Sequence, residues 1–221
     1  LHGLRRAVWP QGWKRMVCQP LPVSSPGRFN ISGERVNPKL VNFIAFQVGW
    51  FACVLGAANG LAWVGVLVAG LIVVFHISTA HQRNHEVQLL VLAMVLGLVF
   101  DSLLVSSGWV RYPSGMFIPG VAPYWILAMW ALFATTLNLS MGWLKSSLVL
   151  ASVMGAVFGP LSYLAGARLG AIVLVDSFSS MIFLAIIWAL VMPTLIFAAN
   201  RFEGTRESVQ FIPLQKLNER E

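Results

Sequence analysis

Between residues 40 and 200 the chain is one apolar run after another, each about 20 residues long and parted from the next by a short polar or glycine-containing gap. Few architectures accept such a pattern. A hydrocarbon core about 30 Å thick is crossed by about 20 residues of α-helix rising 1.5 Å each. Inside lipid no water satisfies the peptide N–H and C=O groups, so each run must satisfy its own, as a helix does. Only 10% of the 221 residues are charged, against about 25% in a soluble domain, so the chain lacks the polar surface of a globule. The fold class is all-α: a polytopic membrane helix bundle of about six transmembrane helices, both termini cytoplasmic. The spans are expected at 40–60, 61–80, 86–110, 120–141, 146–167 and 171–200. Asn59-Gly60 is a turn signal between the first two, and the long last run is expected to open with an interfacial turn at Asp176-Ser177.

The orientation follows from the basic residues. With the N-terminus inside, 13 of the 15 lysines and arginines fall on the cytoplasmic side, and Arg111 and Arg168 alone fall outside. Cytoplasmic segments carry that excess in membrane proteins. A net charge of +7 and a pI near 10.1 would suggest nucleic acid in a soluble chain; here the charge reports topology, and no nucleic acid is expected. Trp63, Trp109 and Trp125 are placed at the outer interface and Trp143 at the inner one, where amphipathic rings settle. Trp50, Trp130 and Trp188 fall mid-span as packing residues.

Residues 1–39 lack helical periodicity and carry five prolines, which reads as a disordered cytoplasmic tail; no apolar segment follows its charges as in a signal peptide. Residue 1 is leucine, so the start could equally be mis-assigned, with Val36 as an alternative. The six-helix domain then spans 40–200 and a cytoplasmic C-terminal tail 201–221. Cys18 and Cys53 lie in the tail and within a span, so no disulfide framework is implied.

Three segments, LVNFIAFQVGWFACVLGAANG at 40–60, FATTLN at 133–138 and GPLSYLAGARLGA at 159–171, together with the helix carrying Asp101, resemble a family of small bacterial inner-membrane proteins, domain of unknown function 2878. The resemblance covers about residues 36–200. It implies a multi-pass protein of the bacterial inner (cytoplasmic) membrane. The family's genes are often found near those of cyclopropane-fatty-acid-synthase-like enzymes, which implies a link to lipid chemistry and to lipid-pathway proteins as partners. It assigns no catalytic residue.

Polar groups inside the spans are the candidate site residues, because such side chains usually face a partner or a cavity. They are Asp101, Arg168, His76, Gln47 and Asn138. His76, Gln47 and Asn138 share the inner half and are expected to hydrogen-bond with one another. Asp101, in the outer half of the third span, is expected to pair with Arg168 at the outer end of the fifth, locking those helices together or lining a polar pocket. His81 and His85, spaced i, i+4, could share a helix face as metal ligands do. Against that, the segment reads as a short loop in which Asn84 caps the third helix and Glu86 sits in its first turn. No metal and no cofactor are expected, and four histidines are too few for a di-iron membrane oxygenase.

The templates G-x-S-x-G, G-x-x-x-x-G-K-[ST] and H-E-x-x-H are all missing, and Ser162-Tyr163 has no base nearby in sequence. The rows Ala52/Gly56/Gly60 and Ala151/Gly155/Gly159, the latter continued by Gly166 and Gly170, predict close helix packing. Pro160 and Pro193 predict kinks. A short echo of Phe51-Ala52-x-x-Leu55 in Phe133-Ala134-x-x-Leu137, and of Asp101-Ser102 in Asp176-Ser177, raises an inverted repeat of the kind transporters use. Three functions stay open. We expect an accessory or structural membrane protein serving lipid modification; the alternatives are a small transporter with a polar cavity from His76 to Asp101, and a lipid-acting membrane enzyme.

Overall fold

A computed structural model describes residues 37–205. Residues 1–36 and 206–221, and with them Cys18, the start-site alternative and most of both tails, lie outside the described residues. The described residues form six α-helices: α1 (Pro38–Ala58), α2 (Ala62–Thr79), α3 (Arg83–Ser106), α4 (Tyr124–Leu137), α5 (Leu148–Arg168) and α6 (Ser177–Arg201). All but α4 are long and apolar enough to cross a membrane. Their outer faces carry the exposed Leu, Val and Phe side chains that a lipid solvent accepts.

Consecutive helices run in opposite directions. One end of the bundle, the near end, holds the start of α1, the α2–α3 turn and the end of α6, joined by a bond from Gln82 N–H to the Gly204 carbonyl. The far end holds the Asn59-Gly60 turn and the α3–α4 and α5–α6 loops. Those two loops meet as a two-stranded antiparallel ladder, β1 (Val110–Arg111) against β2 (Val173–Leu174), which the sequence did not suggest. The last run does open with a turn, and Asp176 occupies the N-cap position of α6.

Two boundaries differ from expectation for physical reasons. The fourth span is a helix of 14 residues, not 22; at 1.5 Å per residue it is about 21 Å long, short of the hydrocarbon core. Nine of those residues are buried, because α4 runs through the middle of the bundle. Protein covers it there, so non-helical backbone on either side is tolerated. The third helix begins at Arg83 with Gln82 in the N-cap position, so Asn84 lies inside its first turn and caps nothing. Trp125, expected at the interface, is fully buried and donates its indole N–H to the Ser114 carbonyl at 3.2 Å.

The small-residue row in α5 does what its spacing predicts. A Cβ added at Gly155 would lie 2.3 Å from the Trp188 carbonyl, and one at Gly159 2.2 Å from the Trp188 ring. Only hydrogen at these positions lets α5 and α6 approach so closely. α5 and α6 pass through Pro160 and Pro193 as single helices. The sequence echo does not extend to environment: Asp101 is buried in α3, whereas Asp176 is an exposed residue before α6.

Candidate functional site

Polar groups gather at two levels of the bundle, with an apolar cavity beside them. At the far level Asp101 is fully buried, about 27 Å along α3 from its near end. Its Oδ1 accepts from Tyr112 and Tyr163 hydroxyls, each at 2.6 Å, and its Oδ2 accepts from Trp130 Nε1 at 2.7 Å. One carboxyl thus joins α3, the following loop, α4 and α5. α3 and α5 are tied by the Tyr163 hydroxyl on Asp101, not by the expected ion pair with Arg168. Among the described residues no ion pair joins Asp101 to Arg168; Arg168, at the last position of α5, is exposed. Three neutral donors inside the bundle satisfy the carboxyl more cheaply than a guanidinium drawn out of water. Aromatic rings close the surroundings: Trp130 stacks on Trp188 with centroids 5.2 Å apart, and Phe100 meets Trp130, Tyr163 and Trp188 edge-on.

At the near level the hub is Glu86, fully buried in the first turn of α3. His76 Nε2 at the end of α2 lies 2.8 Å from Glu86 Oε2. Asn138 Nδ2, past the end of α4, donates to Glu86 Oε1 at 2.6 Å and to the Phe202 carbonyl at 3.0 Å. Gly204 N–H donates to the same Oε1 at 3.0 Å. Lys145, in the 3₁₀ turn Gly142–Ser146, donates to Asn138 Oδ1 at 2.5 Å, to the Ala199 carbonyl at 3.2 Å and to Glu203. Burial alone would raise the Glu203 carboxyl, but the Lys145 and Thr205 hydrogen bonds and the Lys145 charge hold it below the ordinary glutamate value. His76 and Asn138 therefore meet on the Glu86 carboxylate, and the expected hydrogen bond between them is not formed.

Gln47 does not join them. It stands on α1 in the wall of the cavity, and its side chain has no hydrogen-bond partner among the described residues. The two loop histidines do not share a helix face, since His81 precedes α3 and is exposed. His85 Nδ1 lies 3.4 Å from the Glu203 carbonyl oxygen. Among the described residues no three His, Cys, Asp or Glu side chains converge as a metal site requires.

The cavity has a volume of about 610 Å³, within the range of about 300–1,000 Å³ usual for small-molecule sites. α1 supplies Phe43, Phe46, Gln47 and Trp50; α4 supplies Met129, Trp130 and Phe133; α5 supplies Met154, Phe158 and Tyr163; α6 supplies Trp188 and Met192. Phe43 and Phe51 on one side and Phe158 and Leu161 on the other are exposed, and α1 and α5 are not a packed pair. The cavity therefore opens sideways between α1 and α5. Neither His76 nor Asp101 lines it. Ser162 lies in the wall with its hydroxyl donated to the Gly159 carbonyl at 2.7 Å.

Sequence reasoning missed Glu86 as a hub, Lys145 as more than a topology marker, and the aromatic donors Tyr112, Trp130 and Tyr163. A glutamate next to a histidine one turn into a helix was the available signal for Glu86. The aromatic donors gave none, since each also reads as an ordinary membrane-protein residue.

The fold and its two internally satisfied polar levels define a polytopic helical membrane protein with a lateral apolar cavity. The family model described as "Protein of unknown function (DUF2878)" matches residues 39–194, and the chain belongs to that family. No curated protein and no solved structure matches the chain.

Proposed function

We propose that this protein binds a membrane lipid chain in the cavity between α1, α4, α5 and α6, and serves membrane-lipid modification as an accessory component of the bacterial inner membrane. The observation that carries this reading is the cavity itself: about 610 Å³, walled by aromatic and methionine side chains, and open toward the bilayer. Methionine and aromatic walls adapt to a flexible hydrocarbon. Both termini are cytoplasmic in this reading, which agrees with Lys39, Arg83, Lys145 and Arg201 at the near end against Arg111 and Arg168 at the far end.

A small transporter would need a polar path through the bundle. The groups that could build one, Asp101 and the Glu86 cluster, spend their hydrogen bonds on neighbouring protein and stand outside the cavity wall. A lipid-acting enzyme would need a reactive group at the opening, and the Ser162 hydroxyl there is bonded to backbone. The reading is tested by native mass spectrometry of the full chain released from mild detergent. Wild type is expected to retain one lipid mass, and Met154→Trp, which fills the cavity, to lose it while keeping its helical circular dichroism. A wild-type protein that emerges bare under every release condition would refute the reading.

A further inference from the structure

The hydrogen-bonding groups of the cavity wall narrow the ligand's chemistry. Most of the polar side chains there have already committed their protons. Thr136 donates to the Phe133 carbonyl at 2.6 Å, Ser140 to Asn42 Oδ1 at 2.7 Å and Ser162 to the Gly159 carbonyl at 2.7 Å. The Tyr163 hydroxyl and the Trp130 indole N–H are spent on Asp101.

Four sets of donors in the wall remain without a partner among the described residues: the Gln47 amide and the Trp50, Trp143 and Trp188 indoles. Trp143 is exposed, in the 3₁₀ turn at the near end. The Trp188 Nε1 is fully enclosed by protein, so a molecule in the cavity does not reach it. The Gln47 and Trp50 side chains are half-buried, and theirs are the donors a ligand in the cavity meets. A donor covered by an apolar ligand is costly to leave unpaired. Gln47 and Trp50 are three residues apart on one face of α1. Gln47 lies about 14 Å and Trp50 about 18 Å along α1 from Pro38, so both sit in the middle of that span. A saturated chain would leave the Gln47 and Trp50 donors unmatched. A carbonyl oxygen accepts from them and brings no donor of its own.

Building on the lipid reading above, we infer that the cavity selects a lipid carrying a carbonyl oxygen at mid-membrane depth, received by the Gln47 amide with the Trp50 indole N–H. Two sources supply that chemistry: the ester of a glycerolipid drawn into the cavity, and the ring carbonyl of a membrane quinone. The test uses quenching of the intrinsic tryptophan fluorescence of the full chain by three probes. These are a diacyl ester lipid with brominated chains, its ether-linked counterpart, and a short-tailed quinone.

Wild type should bind one of the two carbonyl probes about tenfold more tightly than the ether lipid, the size expected for the net gain of one to two hydrogen bonds. Whichever probe shows that preference names the source. Gln47→Leu should reduce the preference to about twofold or less, and Trp50→Phe, which keeps an aromatic ring but has no N–H, should reduce it in part. Equal binding of all three probes, or a preference that survives Gln47→Leu, overturns the carbonyl assignment and leaves the lipid cavity standing. Quenching by none of them, in wild type and Met154→Trp alike, overturns both.

Discussion

Asp101 shows how a membrane bundle keeps a carboxyl without a counter-ion. Its two oxygens accept three hydrogen bonds from Tyr112, Tyr163 and Trp130, and each of those side chains would otherwise be a buried polar liability itself. Asp101→Ala should therefore orphan three donors at once and cost about 2–4 kcal/mol, less than the sum of aqueous values because hydrogen bonds within membranes are individually modest. Tyr163→Phe should cost about 1 kcal/mol. Arg168→Ala should change stability by less than about 0.5 kcal/mol, as an exposed substitution does. Reversible unfolding in mixed micelles measures all three, and an Arg168→Ala loss matching that of Asp101→Ala would restore the ion pair that the hydrogen bonds replace. Glu203 gives a pH dependence. Its folded carboxyl is held below the ordinary value of 4.5, so its contribution is present above that value and is lost as pH falls through the lower folded one. Hydrogen exchange of residues 138–146 and 199–205 should accelerate over that acid window in wild type. In Lys145→Ala the acceleration should be present already at neutral pH.

α4 carries the main lesson about what was legible in the chain. The long spans could be read because length and apolarity decide whether a segment crosses lipid. The same criterion could not distinguish α4, since residues buried against protein in a membrane are as apolar as those facing lipid. A central helix of 14 residues therefore looked like a crossing of 22. The candidate sites divide the same way. Asp101, His76 and Asn138 stood out as polar residues within apolar runs, whereas the groups their side chains bond come from up to 64 positions away and were visible only after folding. Small-residue rows were legible because i, i+4 spacing places them on one face. Gly159→Leu should disrupt α5–α6 packing and cost about 1–3 kcal/mol or more, as overpacking against Trp188 requires. Gly70→Leu, where an added Cβ meets nothing within 4 Å, should be tolerated. Comparing the two unfolding curves tests whether close approach, and not glycine content, holds the helices.

For the whole molecule, two polar levels tie the helices together and the apolar space between α1 and α5 is left open. The near-end network links α2, α3, α4 and α6 through Glu86, Asn138 and Lys145. The far-end network links α3, α4 and α5 through Asp101. Of the helices lining the cavity, α1 alone belongs to neither, being held on the lining side by Asn42, which donates to the Thr135 carbonyl at 3.2 Å. Orientation has its own test: a reporter fused after Asn200 should read cytoplasmic and one within residues 111–119 periplasmic, and the reverse at either site would invert the bundle. Occupancy of the cavity is read most directly by anomalous diffraction from crystals grown with a lipid whose acyl chains are brominated. Bromine peaks between Phe46, Met154 and Trp188 are the predicted result; peaks confined to the outer faces of the helices, with the cavity empty or filled by water, would contradict it.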